Sequence, residues 1–259
     1  MELYLPNKLF GEDIMPGVTG QYKFDISNEA WTPAQLANIT TWFDPTRGLV
    51  NGTSWSNAIN TGLALFTTNS GNTDMVAGNG INGAATVNVN LVGGLTYLYN
   101  TQPMPISTTA FTIGSVFNYF GSSPVNTQPY TNPCIIGDSA NAYWGQTITA
   151  TAAITYIYSG SSRWAGDNVP INSASGPHFV ISTFNGSTIQ TSIDGAPFNP
   201  GTFTGGNGIA DAGEYGMFDG NAQTYMFKGY CGDVIVCNAV IGNNDFNRLV
   251  AWIKNRYRL

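Results

Sequence analysis

Near its C-terminus the chain runs Phe227-Lys228-Gly229-Tyr230-Cys231-Gly232-Asp233-Val234-Ile235-Val236-Cys237-Asn238, crosses through Ala239-Val240-Ile241-Gly242, and ends in a basic amphipathic segment at Leu259. The first part predicts a glycine-punctuated strand. In the closing segment Phe246, Leu249, Val250, Ile253 and Tyr257 recur at helical spacing, with Asn244 or Asp245 at the start. Lys254, Arg256 and Arg258 fall in the last turns, where cations offset the helix dipole and need no partner to explain them. A long strand handing over to one closing helix requires a sheet for the strand to join and a sheet face for the helix to cover.

The rest of the chain supplies that sheet. Ala85, Val87, Val89 and Leu91 alternate with Thr86, Asn88 and Asn90. Phe111, Ile113, Ser115, Phe117 and Tyr119 share one face of another strand, and Ile154-Thr155-Tyr156-Ile157-Tyr158 is β-branched and aromatic. Phe179 to Phe184, Asn185-Gly186, Ser187 to Ile193 and Asp194-Gly195 predict a hairpin, because Asn-Gly accommodates the turn between two such runs. The one other helical signal is Thr32-Pro33-Ala34-Gln35, a capping box with proline at the first helical position. Leu36, Ile39 and Thr40 extend it to about two turns, ending at Trp42-Phe43-Asp44-Pro45. Many strands, Gly- and Asn-rich turns and few helices predict an all-β, two-sheet antiparallel jelly-roll sandwich over residues 31–259, with a short N-terminal helix and one C-terminal amphipathic helix. Residues 1–30 hold three of the four glutamates, with Pro6, Gly11, Pro16, Gly17 and Gly20 breaking any period. They read as an extended arm, either tying the subunit to its neighbours or lying on its own domain.

Composition narrows the function. Only 9% of residues are charged, against the ~25% usual in soluble domains, yet 13% are aromatic, too many for a disordered chain. No stretch approaches the ~20 apolar residues of a membrane span. Met1-Glu2-Leu3-Tyr4-Leu5-Pro6 lacks the basic and apolar regions of a signal peptide, so synthesis without export processing is expected. Net charge is −6 and four of nine basic residues lie in the last twelve, which leaves no basic stripe for nucleic acid. Cys231 and Cys237 are six residues apart on one strand, about 20 Å at ~3.3 Å per residue, beyond the ~7 Å reach of a disulfide. Cys134 is free by spacing to pair with either, although reduced, buried cysteines are expected.

Three segments resemble the concanavalin A-like, laminin-G-like jelly-roll superfamily. Trp31-Thr32-Pro33-Ala34-Gln35-Leu36 through Trp42-Phe43-Asp44 resembles its opening, where a short helix leads into a Trp-containing strand ending in Asp. His178 to Gly186 with Ile193-Asp194-Gly195 resembles its central hairpin, and Gly229 to Asn238 its last strand before the helix. The family commonly has Glu at the position of Asp233 and an aromatic at that of Cys237. By analogy, a Met-initiated arm and a neutral Asn/Thr/Gly-rich surface are similar to structural proteins of tailed bacteriophages. The resemblance implies a virion subunit (capsid decoration, fibre or tail) that forms a homo-oligomer and contacts other virion proteins through residues 1–30. Its alternative is a lectin-like adhesin for host surface glycans.

Catalytic chemistry is sparse. Hydrolases of this superfamily set two glutamates on one strand face, whereas Glu2, Glu12, Glu29 and Glu214 cannot share one, and Asp211-Ala212-Gly213-Glu214 reads as a loop. His178 is the sole histidine, which removes a multi-histidine metal site and makes it the required base of any Ser-His-Asp set. After Gly176-Pro177 it reads as a hydrogen-bonded histidine at the head of a strand. Asp138, Asp167, Asp211 and Asp219 are the oxygen donors available for calcium, without the dense carboxylate spacing of a calcium loop; no cofactor is expected. Glycan binding uses an aromatic platform ringed by amides and carboxylates, and two segments carry one. Asp138, Asn141, Tyr143 and Trp144 form the first, and Arg163, Trp164, Asp167 and Asn168 the second. The competing reading makes Trp144 and Trp164 core residues.

Overall fold

The chain divides into two units, Met1–Ala30 and Trp31–Leu259. The computed structural model describes residues 31–50, 53–67, 75–89, 98–103, 106–123, 134–138, 144–158, 163–172, 175–200, 214–218 and 226–259. The arm of residues 1–30 lies outside them.

In chain order the strands are β1 (Ile39–Phe43), β2 (Leu49–Val50), β3 (Ser54–Trp55), β4 (Leu65–Thr67), β5 (Met75–Ile81), β6 (Ala84–Val89), β7 (Leu98–Pro103) and β8 (Phe111–Ser123). They continue as β9 (Cys134–Asp138), β10 (Trp144–Ile148), β11 (Ala152–Tyr158), β12 (Arg163–Pro170), β13 (His178–Phe184), β14 (Ile189–Ile193), β15 (Asn199–Pro200), β16 (Glu214–Met217) and β17 (Met226–Cys237). Helix α1 spans Asn243–Tyr257. Among the described residues the strands form two antiparallel sheets. One runs β15-β14-β13-β8-β17-β6-β5, with β1 also paired to β17; the other runs β12-β11-β10-β9-β16-β7-β4-β3-β2. The expected sandwich with one C-terminal helix is the architecture found.

Alternation places the core. On β8 the side chains of Phe111, Ile113 and Phe117 join a cluster between the sheets, with Trp55, Trp144, Phe184 and Phe227. Val116, on the opposite face, joins a second cluster beneath α1 with Phe179, Ile181, Leu249, Ile253 and Tyr257. The inter-sheet core is not wholly apolar. Gln146 accepts from Ser115 and donates to Ser182 Oγ at 3.2 Å, and Thr155 Oγ1 donates to Ser182 Oγ at 2.6 Å. All four are fully buried, so their mutual bonds offset the desolvation that unpaired hydroxyls would suffer.

The helix expected over residues 33–42 is a single 3-10 turn, Pro33–Gln35. The capping interaction forms, since Thr32 N–H donates to Gln35 Oε1 at 2.9 Å, but Asn38 takes a left-handed φ of 60° and ends the turn. Ile39 to Phe43 then pair with β17 as a strand. Thr40, Thr41 and Ile39 are β-branched, and pairing outcompetes a second helical turn there. The β13–β14 connection also differs from the two-residue turn expected. Phe184 pairs with Ile189, and Asn185 Oδ1 accepts from the backbone N–H groups of Ser187 and Thr188 inside a four-residue loop.

Strand β17 carries an irregularity with large consequences. Cys231 lies opposite Phe117 but Val234 opposite Ser115, so β17 holds one extra residue. The side-chain period of two is thereby inverted. Cys231 packs between the sheets and Cys237 beneath the helix, both buried and free. Burial drives the Cys231 thiol pKa well above its usual range and that of Cys237 up to about 12. Neither is poised as a nucleophile. The side chain of Cys134 lies outside the description.

Candidate functional site

The same inversion turns Asp233 onto the helix side of the sheet, fully buried. Gly232 makes the approach of the helix possible, because a Cβ there would lie 2.6 Å from Tyr257 Oη and 2.9 Å from Val116 Cβ. Trp42 Nε1 donates to Asp233 Oδ1 at 2.7 Å and Tyr257 Oη donates to Oδ2 at 2.6 Å, while Asp233 N–H donates back to Tyr257 Oη at 2.8 Å. Arg256 joins Asp233 Oδ2 through Nε at 2.9 Å and reaches Asp44 Oδ1 through Nη2. Its guanidinium also lies 5.0 Å from the Trp252 ring centroid. Asp44 is itself 1% exposed and accepts from the N–H and hydroxyl of Thr46. Arg256, attributed from sequence to the helix dipole alone, thus has two buried carboxylate partners. Burial raises the Asp233 carboxyl to about 6, against the opposing pull of Arg256, Tyr257 and Trp42. The cluster joins β1, β17 and α1, with Trp42, Asp44, Asp233 and Tyr257 buried.

His178 heads β13 as expected and is hydrogen-bonded. Its Nδ1 lies 2.7 Å from Asp194 Oδ2, and its Nε2 lies 3.0 Å from both Ser175 Oγ and the Asn172 carbonyl. These are the distances of a Ser-His-Asp relay, but the donors are arranged otherwise. Ser175 Oγ donates to the Asn172 carbonyl at 2.6 Å, and that carbonyl, an acceptor only, also faces Nε2. The Ser175 proton is thus directed to the carbonyl and away from the imidazole. Asp194 meanwhile accepts from Phe179 N–H at 3.0 Å and takes a left-handed φ of 55°. The group ties the start of β13 to the turn that follows β14, at the open end of the hairpin.

Asp138 ends β9, Trp144 begins β10, Tyr158 ends β11 and Arg163 begins β12, all at one end of the second sheet. Trp144 lies opposite Ile157, which lies opposite Trp164. Trp144 is fully buried and 6.4 Å from the Phe111 ring, so it fills the inter-sheet core and offers no face to a sugar. That corrects its nomination, because the strand begins at Trp144 and points it inward. Arg163, Trp164, Asp167 and Asn168, expected in a loop, belong to β12, which pairs with β11 through a bulge between Asp167 and Ala165. Their side chains, and that of Asp138 at the end of β9, lie outside the description, as do Asn141 and Tyr143 altogether. Glu214 opens β16 rather than sitting in a loop. Asp211 and Asp219 are outside the described residues, and among those described no three His, Cys, Asp or Glu side chains gather as a metal site. No helix among them is long and apolar enough to cross a membrane.

No family model and no curated protein matches the chain. Solved structures do. Domain 4 of AbnA, an extracellular arabinanase of Geobacillus stearothermophilus solved with arabinotriose, matches over 83% of this chain and 100% of its own, with a TM-score of 0.58 at 11% identity. The binding domain of Paraclostridial Mosquitocidal Protein 1 matches over 84% of this chain, with a TM-score of 0.59 at 11% identity. That of botulinum neurotoxin DC, solved with rat synaptotagmin II, matches over 83% with a TM-score of 0.57 at 12% identity. This chain spans about half of each toxin domain, 53% and 52%. At such identities the likeness establishes the β-sandwich fold.

Proposed function

We propose that the chain is a non-enzymatic carbohydrate-recognition module carried by a virion structural protein. The observation that carries the recognition half is the match to the whole of an arabinanase domain that was solved with a bound arabinotriose. A chain with 9% charged residues and abundant amides and hydroxyls suits a neutral, polyhydroxylated ligand. The hairpin end of the second sheet, with Arg163, Trp164, Asp167 and Asn168 on β12, is the contact region that the sequence nominates.

Titration of the full chain with neutral oligosaccharides tests the reading. Saturable binding is expected, and its absence across arabino-, gluco- and xylo-oligosaccharides overturns it. Release of reducing sugar from a polysaccharide would instead make the protein a hydrolase. The virion half rests on the analogy drawn from the arm and the neutral surface. In that setting residues 1–30 tether a homo-oligomer to neighbouring virion proteins, so a chain lacking them should remain a folded domain and lose association with the particle. If the shortened chain still assembles, the tether is wrong.

A further inference from the structure

Beyond the reach of α1, the outer face of the first sheet carries an aromatic and amide surface that none of the sequence nominations included. Asn118 on β8, Tyr230 on β17, Asn88 on β6 and Val76 on β5 lie opposite one another in one cross-strand row. The row carries no charge. Phe120 stands beside it at 54% exposure. Its ring meets Tyr230 edge-on at 4.8 Å, with an interplanar angle of 84°.

Backbone devices hold these side chains in place. On β8, Tyr119 pairs with Gly229 and Gly121 with Lys228, so Phe120 is the extra residue of a bulge. Gly121 and Gly229 both have positive φ, 141° and 154°, and a Cβ at Gly229 would lie 2.1 Å from the Asn118 carbonyl oxygen. Regular alternation after the inward-facing Tyr119 already places Phe120 on the outer face, and the bulge sets it against Tyr230. Two further glycines, on β5, flatten the floor. A Cβ on Gly80 would lie 2.3 Å from the Tyr230 ring, and one on Gly78 would lie 2.4 Å from Asn88 Nδ2. The ring and the amide therefore lie down on bare backbone. Thr86 Oγ1 accepts from Gly80 N–H and donates to Asn88 Oδ1, both at 3.0 Å, which orients the Asn88 carboxamide and leaves its Nδ2 without a protein partner among the described residues.

We propose that Phe120 and Tyr230, with the amides of Asn88 and Asn118, form a platform that binds a neutral sugar ring on the helix side of the sandwich; this rests on the carbohydrate-recognition reading above. A pyranose offers an apolar C–H face, which stacks on an aromatic ring, and equatorial hydroxyls that both donate and accept, as carboxamides do. The row itself is uncharged, and the exposed Lys228 lies next to it on β17, so the acidic control decides whether the ligand is neutral. One exposed ring with a row of amides is too small for the ~800 Å² that each partner of a standard protein interface buries.

The test is calorimetric titration of the full 259-residue chain with arabinotriose, cellotriose and maltotriose, with sialyllactose as the acidic control. Binding of at least one neutral trisaccharide is expected, weakened about tenfold or more by Phe120→Ala and several-fold by Asn118→Ala. Trp164→Ala reports on the hairpin end of the second sheet, the other contact region. Matching circular dichroism melts establish that each variant is folded. Undiminished binding by both Phe120→Ala and Asn118→Ala overturns the platform while leaving the recognition reading intact, above all if Trp164→Ala abolishes binding. No neutral binding by the parent chain overturns both. Self-association that Phe120→Ala abolishes assigns the patch to a second copy instead of a sugar.

Discussion

The outer face of β8 and β17 has two ends that use one device for opposite purposes. Under α1, the extra residue of β17 turns Asp233 inward to a buried cluster with Asp44, Arg256, Tyr257 and Trp42. Beyond α1, Phe120 keeps the outward side that alternation after Tyr119 gives it, and as the extra residue of β8 it is set against Tyr230. Glycine accompanies both bulges: Gly232 lets the helix approach, and Gly121 and Gly229 accept the conformation that leaves the ring uncovered. The difference is whether another element is available to cover the residue. The cover decides whether the outer face becomes core or surface.

The comparison breaks most sharply at Arg256. Arg256→Ala leaves Asp233 buried without its cation and Asp44 with Arg47 alone, and should destabilise the domain by about 3–5 kcal/mol in chemical denaturation. If the loss is only a few tenths, the cluster is solvated and the closed end resembles the open one. Gly232→Ala comes next. Its methyl must displace the Tyr257 ring or the neighbouring strand, at a cost of about 1–3 kcal/mol measured in the same way.

A smaller effect is readable through pH. The Asp233 carboxyl titrates at about 6 in the folded chain, above the ordinary carboxylate range, so the folded state holds that proton more tightly than the unfolded state does. Its contribution to stability therefore grows as pH falls through about 6 and is lost as pH rises past it. Between about pH 8 and about pH 5 the melting temperature of the parent should rise relative to that of Asp233→Asn. Parallel curves would mean that Asp233 is charged throughout. At the open end, Phe120→Ala should change stability by no more than about 0.5 kcal/mol, because the ring is already in water. A larger loss would show that the ring is covered and remove it as a platform.

Much of the fold was legible because its signals are local. The inward set Phe111, Ile113, Ser115, Phe117 and Tyr119 alternates without interruption, and α1 buries Leu249, Ile253 and Tyr257 as their spacing predicts. Residues 39–43 misled the helical reading, since a valid capping box says how a turn begins and nothing about how far it runs. The family resemblance, which puts a Trp-containing strand there, was the better guide. Trp144 looked available beside Asn141 and Tyr143, but its place at the start of β10 aims it into the core. The Phe120 platform had one faint signal in the chain, an aromatic at an outward position just before Gly121.

Alternation, turn chemistry and helical spacing act over a few residues, so strands, hairpin and closing helix could be read before any contact was known. Face assignment after a bulge could not. A one-residue insertion inverts every side chain beyond it, and whether a residue is inserted depends on the register of the partner strand, here β8 against β17. Six residues of uninterrupted strand would put Cys231 and Cys237 on one face, yet they lie in different cores. Arg256 met Asp44 and Asp233 for the same reason, across 212 positions of sequence to the first of them. Only the folded register decides which residues such distances bring together.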